Sequence, residues 1–151
     1  MAMALKTLTG KWIGQYTYGE GYEDVTQESC PFEMDIIHDG FALKGTCFEE
    51  KYKEILKSPA TIEGSFEKSN ISFIKKYPSQ LTMDQDGQTG VDDSKTGVPI
   101  HYTGRLTKKF FSRRYIFTGQ WSMNEKIDFG GGISKYFTLS GTWSMELQRK
   151  G

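Results

Sequence analysis

Lys75 is a charged side chain that the sequence predicts to face a protein interior. Apolar and polar residues alternate over 71–77, and in a β-strand this alternation places Lys75 on the apolar face with Tyr77. A buried ammonium is costly unless a partner compensates its charge. That partner could be the carboxylate of a bound ligand or Glu49, which has the parity of Cys47, whereas a slipped register would leave Lys75 in water.

Aromatic residues on the same predicted faces are the other groups that could hold a ligand. An interior Tyr needs a hydrogen-bond partner for its hydroxyl, which a ligand or a bound water can supply. We predict that the ligand-binding residues are Tyr16, Tyr18, Phe32, Lys75, Tyr77, Tyr102, Trp121 and Phe137. The other inward aromatics, Trp12, Phe66, Phe117 and Trp143, are predicted to fill the core.

Groups that could carry other chemistry are poorly placed for it. Cys30 and Cys47 share a predicted face and are expected to be free thiols, because a disulfide demands narrow geometry. No His shares that face to activate a thiol. The acidic stretch 84–93 resembles a fragment of a calcium-binding loop but lacks its sixth-position Gly and twelfth-position Glu, so we predict a solvated loop. We therefore predict no catalytic residue, no metal and no cofactor.

A repeated pairing of Gly with a large side chain two residues later predicts the fold that positions these groups. Two such residues share one face of a strand. Gly inside a strand tends to mark a bend or a close backbone approach, and its use in nearly every strand is typical of a sheet that curls until it closes. The seven copies are Gly10 with Trp12, Gly14 with Tyr16, Gly45 with Cys47, Gly64 with Phe66, Gly104 with Leu106, Gly119 with Trp121 and Gly141 with Trp143.

Period-2 alternation recurs along the chain and indicates eight strands in a single domain, 1–151. The predicted strands span about 10–18, 30–37, 42–50, 60–67, 71–77, 99–107, 113–123 and 136–149. Asp39 and Gly40 are predicted to form the turn between the second and third strands, which pairs Ile36 with Leu43. The predicted fold class is an all-β, eight-stranded antiparallel up-and-down β-barrel.

The connections between these strands alternate in length. The segments 19–29, 51–59, 78–98 and 124–135 are long, and the connections between them are shorter. Alternate connections of an up-and-down sheet lie at the same end. We therefore predict a cup with a closed base and a mouth framed by loops, where binding groups tend to sit. An eight-stranded barrel has room for packed side chains or for one small ligand.

Composition and charge disfavour several function classes. Lys plus Arg equals Asp plus Glu at 19 each, so the net charge is zero, which disfavours general electrostatic binding to nucleic acid. No apolar run is long enough to span a bilayer and residues 1–10 do not resemble a signal peptide, so we expect a cytoplasmic location without membrane insertion. If the outward apolar residues form one patch, barrels would pair through it. These residues are Ile13, Ile37, Phe48, Ile74 and Ile116.

Gly10 and Trp12, at the start of the first predicted strand, resemble the Gly-x-Trp motif that opens lipocalins and their calycin relatives. In that group the Trp closes the base of the barrel, and an Arg or Lys from the end of the last strand packs across it. The resemblance implies that Trp12 and Arg149 form this closure, with the guanidinium on the indole face. Where lipocalins carry a Thr-Asp-Tyr type motif, this chain has Phe-Phe-Ser-Arg at 110–113.

The chain also resembles two other barrel families. The segments 8–12 and 117–120 are similar to avidin segments. Avidins carry an Asn two residues after the first Trp to hold the biotin ureido oxygen, and Gly14 stands at that position here. Nitrobindin-like haem barrels also open with Gly-x-Trp-x-Gly but require a late haem-ligating His. Neither His38, beside a turn, nor the outward-facing His101 meets that requirement, so the resemblances favour neither biotin nor haem.

These observations predict a non-enzymatic protein that binds a small hydrophobic or aromatic ligand in the barrel interior. A second hypothesis is an isomerase or cyclase built on the same barrel. A third is a ligand-free protein-interaction module whose lumen is filled by side chains. The expected partner is a small hydrophobic molecule rather than nucleic acid or membrane, with a homo-oligomer following if the outer patch forms.

Overall fold

The structure, a computed structural model, describes residues 7–19, 29–83, 89–108 and 114–148. Within these ranges the chain forms ten strands and a short 3₁₀ helix. The strands are β1 (Gly10–Tyr18), β2 (Ser29–Asp39), β3 (Ala42–Phe48), β4 (Ala60–Glu67), β5 (Asn70–Lys76), β6 (Gln80–Met83), β7 (Thr89–Asp92), β8 (Ile100–Lys108), β9 (Tyr115–Gly130) and β10 (Ile133–Leu147), and the 3₁₀ helix is Glu50–Tyr52. No helix among the described residues is long and apolar enough to cross a membrane.

Eight of the strands close into an antiparallel barrel. Around the barrel the strands follow the order β1-β10-β9-β8-β5-β4-β3-β2, and β1 pairs with both β10 and β2. Closure leaves no unpaired strand edge in this sheet. The predicted all-β, eight-stranded up-and-down barrel is therefore confirmed. β6 and β7 pair with each other as a separate hairpin inserted between β5 and β8, in a segment that the sequence analysis treated as a loop.

The turn between β2 and β3 lies one residue later than predicted. Asp39 still belongs to the ladder and pairs with Ala42, so Gly40 and Phe41 form the turn. Gly40 has a φ of 67°, whereas Phe41 is not among the residues with positive φ. This is the pattern of a turn with Gly at the first central position only. Gly40 therefore fixes the position of the turn, because glycine adopts a positive φ without a steric cost.

The register of β2 against β3 is consequently shifted by two residues from the prediction. Ile36 pairs with Gly45 rather than with Leu43, and Leu43 pairs with His38. The predicted pairing was wrong because it placed the turn one residue too early. A shift of two residues leaves every side chain on its predicted face, because the strand period is two.

A long hairpin arm replaces the predicted loop 124–135. β9 continues to Gly130 and β10 begins at Ile133, with Gly131 and Gly132 at φ 61° and 77° between them. The β1 ladder reaches β10 at Gly141, so most of 124–139 pairs only within the arm in the described chain. Alternation predicted the part of the arm from residue 136 onward but not 124–135, where the polar residues at 124–126 interrupt the pattern that ends at Met123.

The long connections gather at one end of the barrel, as predicted. Segments 49–59 and 77–99 leave the sheet at the end where β3 and β5 finish, and this end is the mouth. Tight turns at Gly40 and at Lys68–Ser69 lie at the opposite end, the base. The connection 49–59 at the mouth is largely irregular, so it can carry side chains that strand alternation does not place.

Two of the repeated glycines leave room inside the barrel for tryptophans of other strands. A Cβ atom on Gly141 would lie 2.6 Å from Nε1 of Trp121, and one on Gly104 would lie 2.6 Å from Cζ2 of Trp143. The Trp121 indole crosses the Gly141 backbone and donates to the Thr17 carbonyl at 2.8 Å. Gly141 thus accommodates a Trp from the adjacent strand β9, and Gly104 of β8 accommodates one from β10, two strands away around the barrel.

The base is closed by Trp12 and by the segment before β1. Trp12 is fully buried, its indole N–H donates to the Leu8 carbonyl at 2.9 Å, and its ring lies 5.2 Å from that of Phe117. The Leu8 backbone N–H donates to Nδ1 of His38 at 3.0 Å. Arg149, the predicted partner of Trp12, lies outside the described residues. Within the described chain Leu8, itself fully buried, packs under the barrel.

The outward apolar residues do not form the single patch that would favour pairing of barrels. Charged residues of intervening strands separate them. One cross-strand row runs Ile13, Glu33 and Phe48, and another runs Ile37, Lys44, Glu63 and Ile74. Ile116 is partly buried. The expectation of a continuous patch was therefore wrong, because strand alternation assigns faces but not neighbours around the barrel.

Candidate functional site

A buried ion pair lies near the mouth inside the barrel. The Lys75 ammonium is 2.8 Å from Oε2 of Glu49, and each side chain is only 1% exposed. Glu49 Oε1 accepts a hydrogen bond from the Tyr16 hydroxyl at 2.5 Å, and Oε2 accepts one from the Tyr77 hydroxyl at 2.5 Å. The inward position of Lys75 and the alternative in which Glu49 is its partner are both confirmed.

Aromatic rings surround the Lys75 ammonium. Its Nζ lies 5.0 Å from the ring centroid of Tyr16, 4.8 Å from that of Tyr77 and 5.7 Å from that of Tyr102. Tyr102 is itself stacked on Phe73 with centroids 4.8 Å apart. Ring faces carry negative charge density that attracts a cation. Glu49 and the rings together compensate the loss of water around Lys75.

Three barrel strands (β1, β5 and β8) and the two connections 49–59 and 77–99 supply this cluster. Lys75 sits on β5 between Ile62 of β4 and Ile100 of β8, on the inward face that alternation assigned to it. Glu49 directly follows β3, two residues after the buried Cys47, so its side chain lies on the same inner side as Cys47, at the mouth of the barrel. These groups are far apart in sequence, and closure of the barrel brings them together.

Glu49 is held in its ionised form. Burial raises the pKa of its carboxyl, but attraction to Lys75 and hydrogen bonds from Lys75, Tyr16 and Tyr77 outweigh burial and leave the pKa below its usual 4.5. The carboxylate is thus an anion at neutral pH, with three donors arranged around it.

The other groups of the cluster keep their protons at neutral pH. Burial lowers the pKa of Lys75, but the surrounding acidic groups, led by Cys47 and including Glu49, raise it well above 10.5. On groups that ionise to anions burial acts in the opposite direction: it raises the pKa of Tyr77 well above 10.0 and that of the Cys47 thiol to about 11. Glu49, Lys75, Tyr77 and Cys47 therefore do not exchange protons near neutral pH, so the cluster presents fixed charges and fixed hydrogen bonds.

Stability is expected to fall towards both acid and alkaline pH. The contribution of Glu49 is present above its unfolded pKa of 4.5 and is lost as the pH falls through its lower folded pKa. The contributions of Lys75 and Tyr77 are present below 10.5 and 10.0, and they are lost as the pH rises above those values.

Urea unfolding followed from about pH 3 to about pH 11 measures this profile. The variant Glu49→Gln lowers stability overall but should flatten the acid limb, because its amide does not titrate. An acid limb equally steep in wild type and in Glu49→Gln would show that Glu49 does not contribute to it.

A cleft of about 240 Å³ opens beside this cluster at the mouth. Its lining includes Glu49, Tyr52, Lys53, Leu56, Lys57 and Tyr77. The rings of Tyr52 and Tyr77 meet edge to face with centroids 5.7 Å apart. The cleft thus has apolar and aromatic walls, and the buried ion pair stands at its inner end.

Lysines of the connection 49–59 lie at the outer part of the cleft. Lys53 pairs with Glu50, with side chains 49% and 63% exposed. Lys57 Nζ lies 3.6 Å from a carboxylate oxygen of Asp93, with side chains 72% and 47% exposed. Ion pairs this exposed contribute little, so their ammonium groups can be shared with a ligand.

The eight predicted ligand-binding residues are placed in three ways. Tyr77 lines the cleft, and Tyr16, Lys75 and Tyr102 form the cluster behind it. Phe32 stacks on Tyr16, and Tyr18 packs edge to face on Trp121; these four rings do not line the cleft. Phe137 lies on the hairpin arm opposite Glu125, beyond the part of β10 that pairs with β1. Their role in binding stays a prediction.

Tyr52 is one of the lining residues that were not predicted from the sequence, and Lys53, Leu56 and Lys57 are others. Tyr52 lies in the 3₁₀ helix after Glu49, and the Leu56 N–H donates to its carbonyl at 3.0 Å. A Tyr and a Leu four residues apart share one face of a helical turn, which was the available signal. From the sequence, the segment 49–57 was assigned to the end of the strand 42–50 and to the long connection 51–59. One helical turn is too short to show periodicity.

Comparisons with known proteins bear on the fold. No protein-family model matches the chain, and no curated protein matches its sequence. Rhizavidin in complex with biotin is a similar solved structure, with 10% identity, coverage of 100% of this chain and 99% of that chain, and a TM-score of 0.50. The barrel is avidin-like. Apo short afifavidin is also similar, with 11% identity, coverage of 95% and 99%, and a TM-score of 0.49.

The likeness to rhizavidin shows the fold, the closed eight-stranded β-barrel that the resemblance drawn from Gly10 and Trp12 implied. The sequence analysis ranked lipocalins first and avidins second. At identities near 10% the likeness concerns the fold alone. The function of this avidin-like barrel therefore has to be argued from its own residues.

Proposed function

We propose that this avidin-like barrel is a non-enzymatic binding protein whose small apolar or aromatic ligand occupies the cleft at the mouth. The observation that carries the proposal is the cleft of about 240 Å³, walled by Tyr52 and Tyr77 and ended by the buried Glu49–Lys75 pair. Binding would be driven by removal of apolar ligand surface from water. Fixed polar groups at the inner end would orient the ligand.

The protonation states of the cluster support binding rather than acid–base catalysis. An efficient general acid or base has a pKa near the working pH. The pKa of Glu49 is below its usual value, and the pKa values of Lys75 and Tyr77 are above theirs. The isomerase or cyclase hypothesis would need a group that these residues do not supply.

Rhizavidin, which shares this barrel, forms a complex with biotin, and that supports a small-molecule role for the barrel here. Biotin itself is not proposed. Gly14 stands where the avidin resemblance implies an Asn, and a Cβ there would lie 2.1 Å from the Ser144 carbonyl and 2.7 Å from the Phe32 ring. The polar side chain implied by the resemblance has no room at this position.

The proposal places the ligand differently from the sequence analysis. The sequence predicted a ligand in the barrel interior and left open whether Lys75 meets a ligand carboxylate or pairs with Glu49. Lys75 is already paired with Glu49, so we propose that the ligand packs above this pair against Tyr77. Lipocalin kinship and a cytoplasmic location remain predictions of the sequence, whereas pairing into homo-oligomers has lost the continuous outer patch on which it depended.

Native mass spectrometry tests the proposal. The protein is purified from its own source and, if it carries nothing, is incubated with a mixed metabolite and lipid extract. We expect one small molecule per chain. The variant Ser58→Trp, at an exposed lining position, should fill the cleft and abolish the complex, whereas Ser72→Trp on the outer face of β5 should retain it.

Three results would contradict the proposal. If only the mass of the unliganded protein is found under all conditions, a protein-interaction module with a filled lumen is favoured instead. Retention of the ligand by Ser58→Trp would place the site elsewhere in the barrel. Conversion of an extract component into a new product would favour the enzyme hypothesis.

A further inference from the structure

The charges around the mouth cleft are distributed unevenly between its inner and outer ends, and this distribution bears on the ligand that it accepts. We infer that the cleft selects a small single-ring or branched carboxylate, with its apolar body against Tyr52 and Tyr77 and its carboxylate outward at Lys53 and Lys57. The inference rests on the proposed function and adds the charge and the orientation of the ligand.

The inner end is unfavourable for an anionic group. Glu49 lines the cleft as a carboxylate, and its two oxygens already accept contacts from Tyr16, Tyr77 and Lys75. A ligand carboxylate pointing inward would meet this anion in a poorly hydrated place, where like charges repel strongly. The Lys75 ammonium is fully used by Glu49 and by the tyrosine rings, so it does not offset that repulsion.

The inner end is equally unfavourable for a cationic group. The features that attract an ammonium are a carboxylate and the faces of aromatic rings. Here Lys75 occupies both, at 2.8 Å from Glu49 and within 5.0 Å of the ring centroids of Tyr16 and Tyr77. A ligand ammonium would have to displace a tethered one. The inner end therefore accepts the apolar part of a ligand.

The outer end favours an anion. Among the described residues that line the cleft, the charged ones are Glu49, Lys53 and Lys57. The acidic partners of the two lysines, Glu50 and Asp93, do not belong to the lining. Both pairs are exposed, so an arriving carboxylate can share the two ammonium groups at little cost.

The volume limits the size of the ligand. A cleft of about 240 Å³ corresponds to the space of about eight waters in the liquid, which suits one ring with a short side chain. Tyr52 and Tyr77, packed edge to face at 5.7 Å, form an aromatic part of the cleft wall against which the apolar body of a ligand can pack. A single-ring carboxylate satisfies both ends of the cleft at once.

Isothermal titration calorimetry with three probes of one shape tests the inference. The probes are phenylacetate, its neutral amide phenylacetamide and the cation phenethylamine, and the measurement is made at low and at high NaCl. We expect phenylacetate to bind about tenfold more tightly than phenylacetamide at low salt, with phenethylamine weakest. Added salt should weaken phenylacetate binding and leave phenylacetamide binding unchanged.

Variants then assign the preference to the rim. Lys53→Gln and Lys57→Gln should each weaken phenylacetate binding about threefold, and the double variant about tenfold, with phenylacetamide binding unchanged. Lys44→Gln, an exposed residue of β3 near the base, is the matched control and should change neither. All these positions are exposed, so the variants are expected to fold like the wild type.

Failure of this inference is distinguishable from failure of the proposed function. Equal binding of phenylacetate and phenylacetamide, or a rim variant that weakens both alike, overturns the charge preference and leaves the cleft as a ligand site. Absence of binding by all three probes also overturns it. The proposed function is judged separately, by the effect of Ser58→Trp on ligand retention in mass spectrometry.

Discussion

Replacing Lys75 with Met is expected to lower the free energy of unfolding by about 3–5 kcal/mol. The substitution leaves the Glu49 carboxylate buried, 1% exposed, without the ammonium that lies 2.8 Å away in the wild type. Urea unfolding at neutral pH measures the effect as a lower midpoint with an unchanged slope. The matched control is Lys76→Met on the outer face of the same strand, which should cost less than about 0.5 kcal/mol.

A double variant distinguishes the net contribution of the ion pair to stability from the cost of leaving one buried charge without its partner. Combining Lys75→Met with Glu49→Gln removes both charges and should recover much of the lost stability, since a buried pair often contributes little over neutral groups of similar shape. The single variant should also recover partly at acid pH, where Glu49 becomes protonated. A single-variant loss below about 1 kcal/mol, or a double variant no better than the single, would contradict this account.

Replacing Gly104 with Ala is expected to lower the free energy of unfolding by about 2–3 kcal/mol. The added Cβ would lie 2.6 Å from Cζ2 of Trp143 and 2.8 Å from the Thr118 carbonyl, both inside contact distance. The Trp143 ring cannot swing away freely, because its indole N–H donates to the Thr103 carbonyl at 3.0 Å and to the Gln120 carbonyl at 3.1 Å. Thermal and urea unfolding both measure the loss.

Trp143→Phe provides the control for this prediction. Phe lacks the Cζ2 atom that the new methyl group would meet, so the double variant should lose less than the two single losses added together. A coupling of about 1 kcal/mol or more is expected. Additive losses would show that the Thr118 carbonyl, rather than the indole, limits the space at Gly104.

Much of the barrel follows from short-range sequence patterns. Alternation assigned Phe73, Lys75 and Tyr77 to the inner face, and the structure buries all three. Errors arose where local preference does not choose between alternatives. The position of the β2–β3 turn depended on which residue next to Gly40 completes it, and after Met123 the polar residues at 124–126 interrupt the alternation that would have predicted the hairpin arm.

The sequence by itself determined which face each strand residue takes, because a period of two is a local property of the backbone. It thereby placed Lys75 inside and offered Glu49 as its partner. The tertiary structure decided what lies beside them. The height of each strand in the closed barrel brings Tyr16 of β1 and Tyr102 of β8 around one ammonium, and the irregular chain after β3 carries Tyr52 to the cleft. Those positions depend on register and closure between segments distant in sequence, which alternation does not encode.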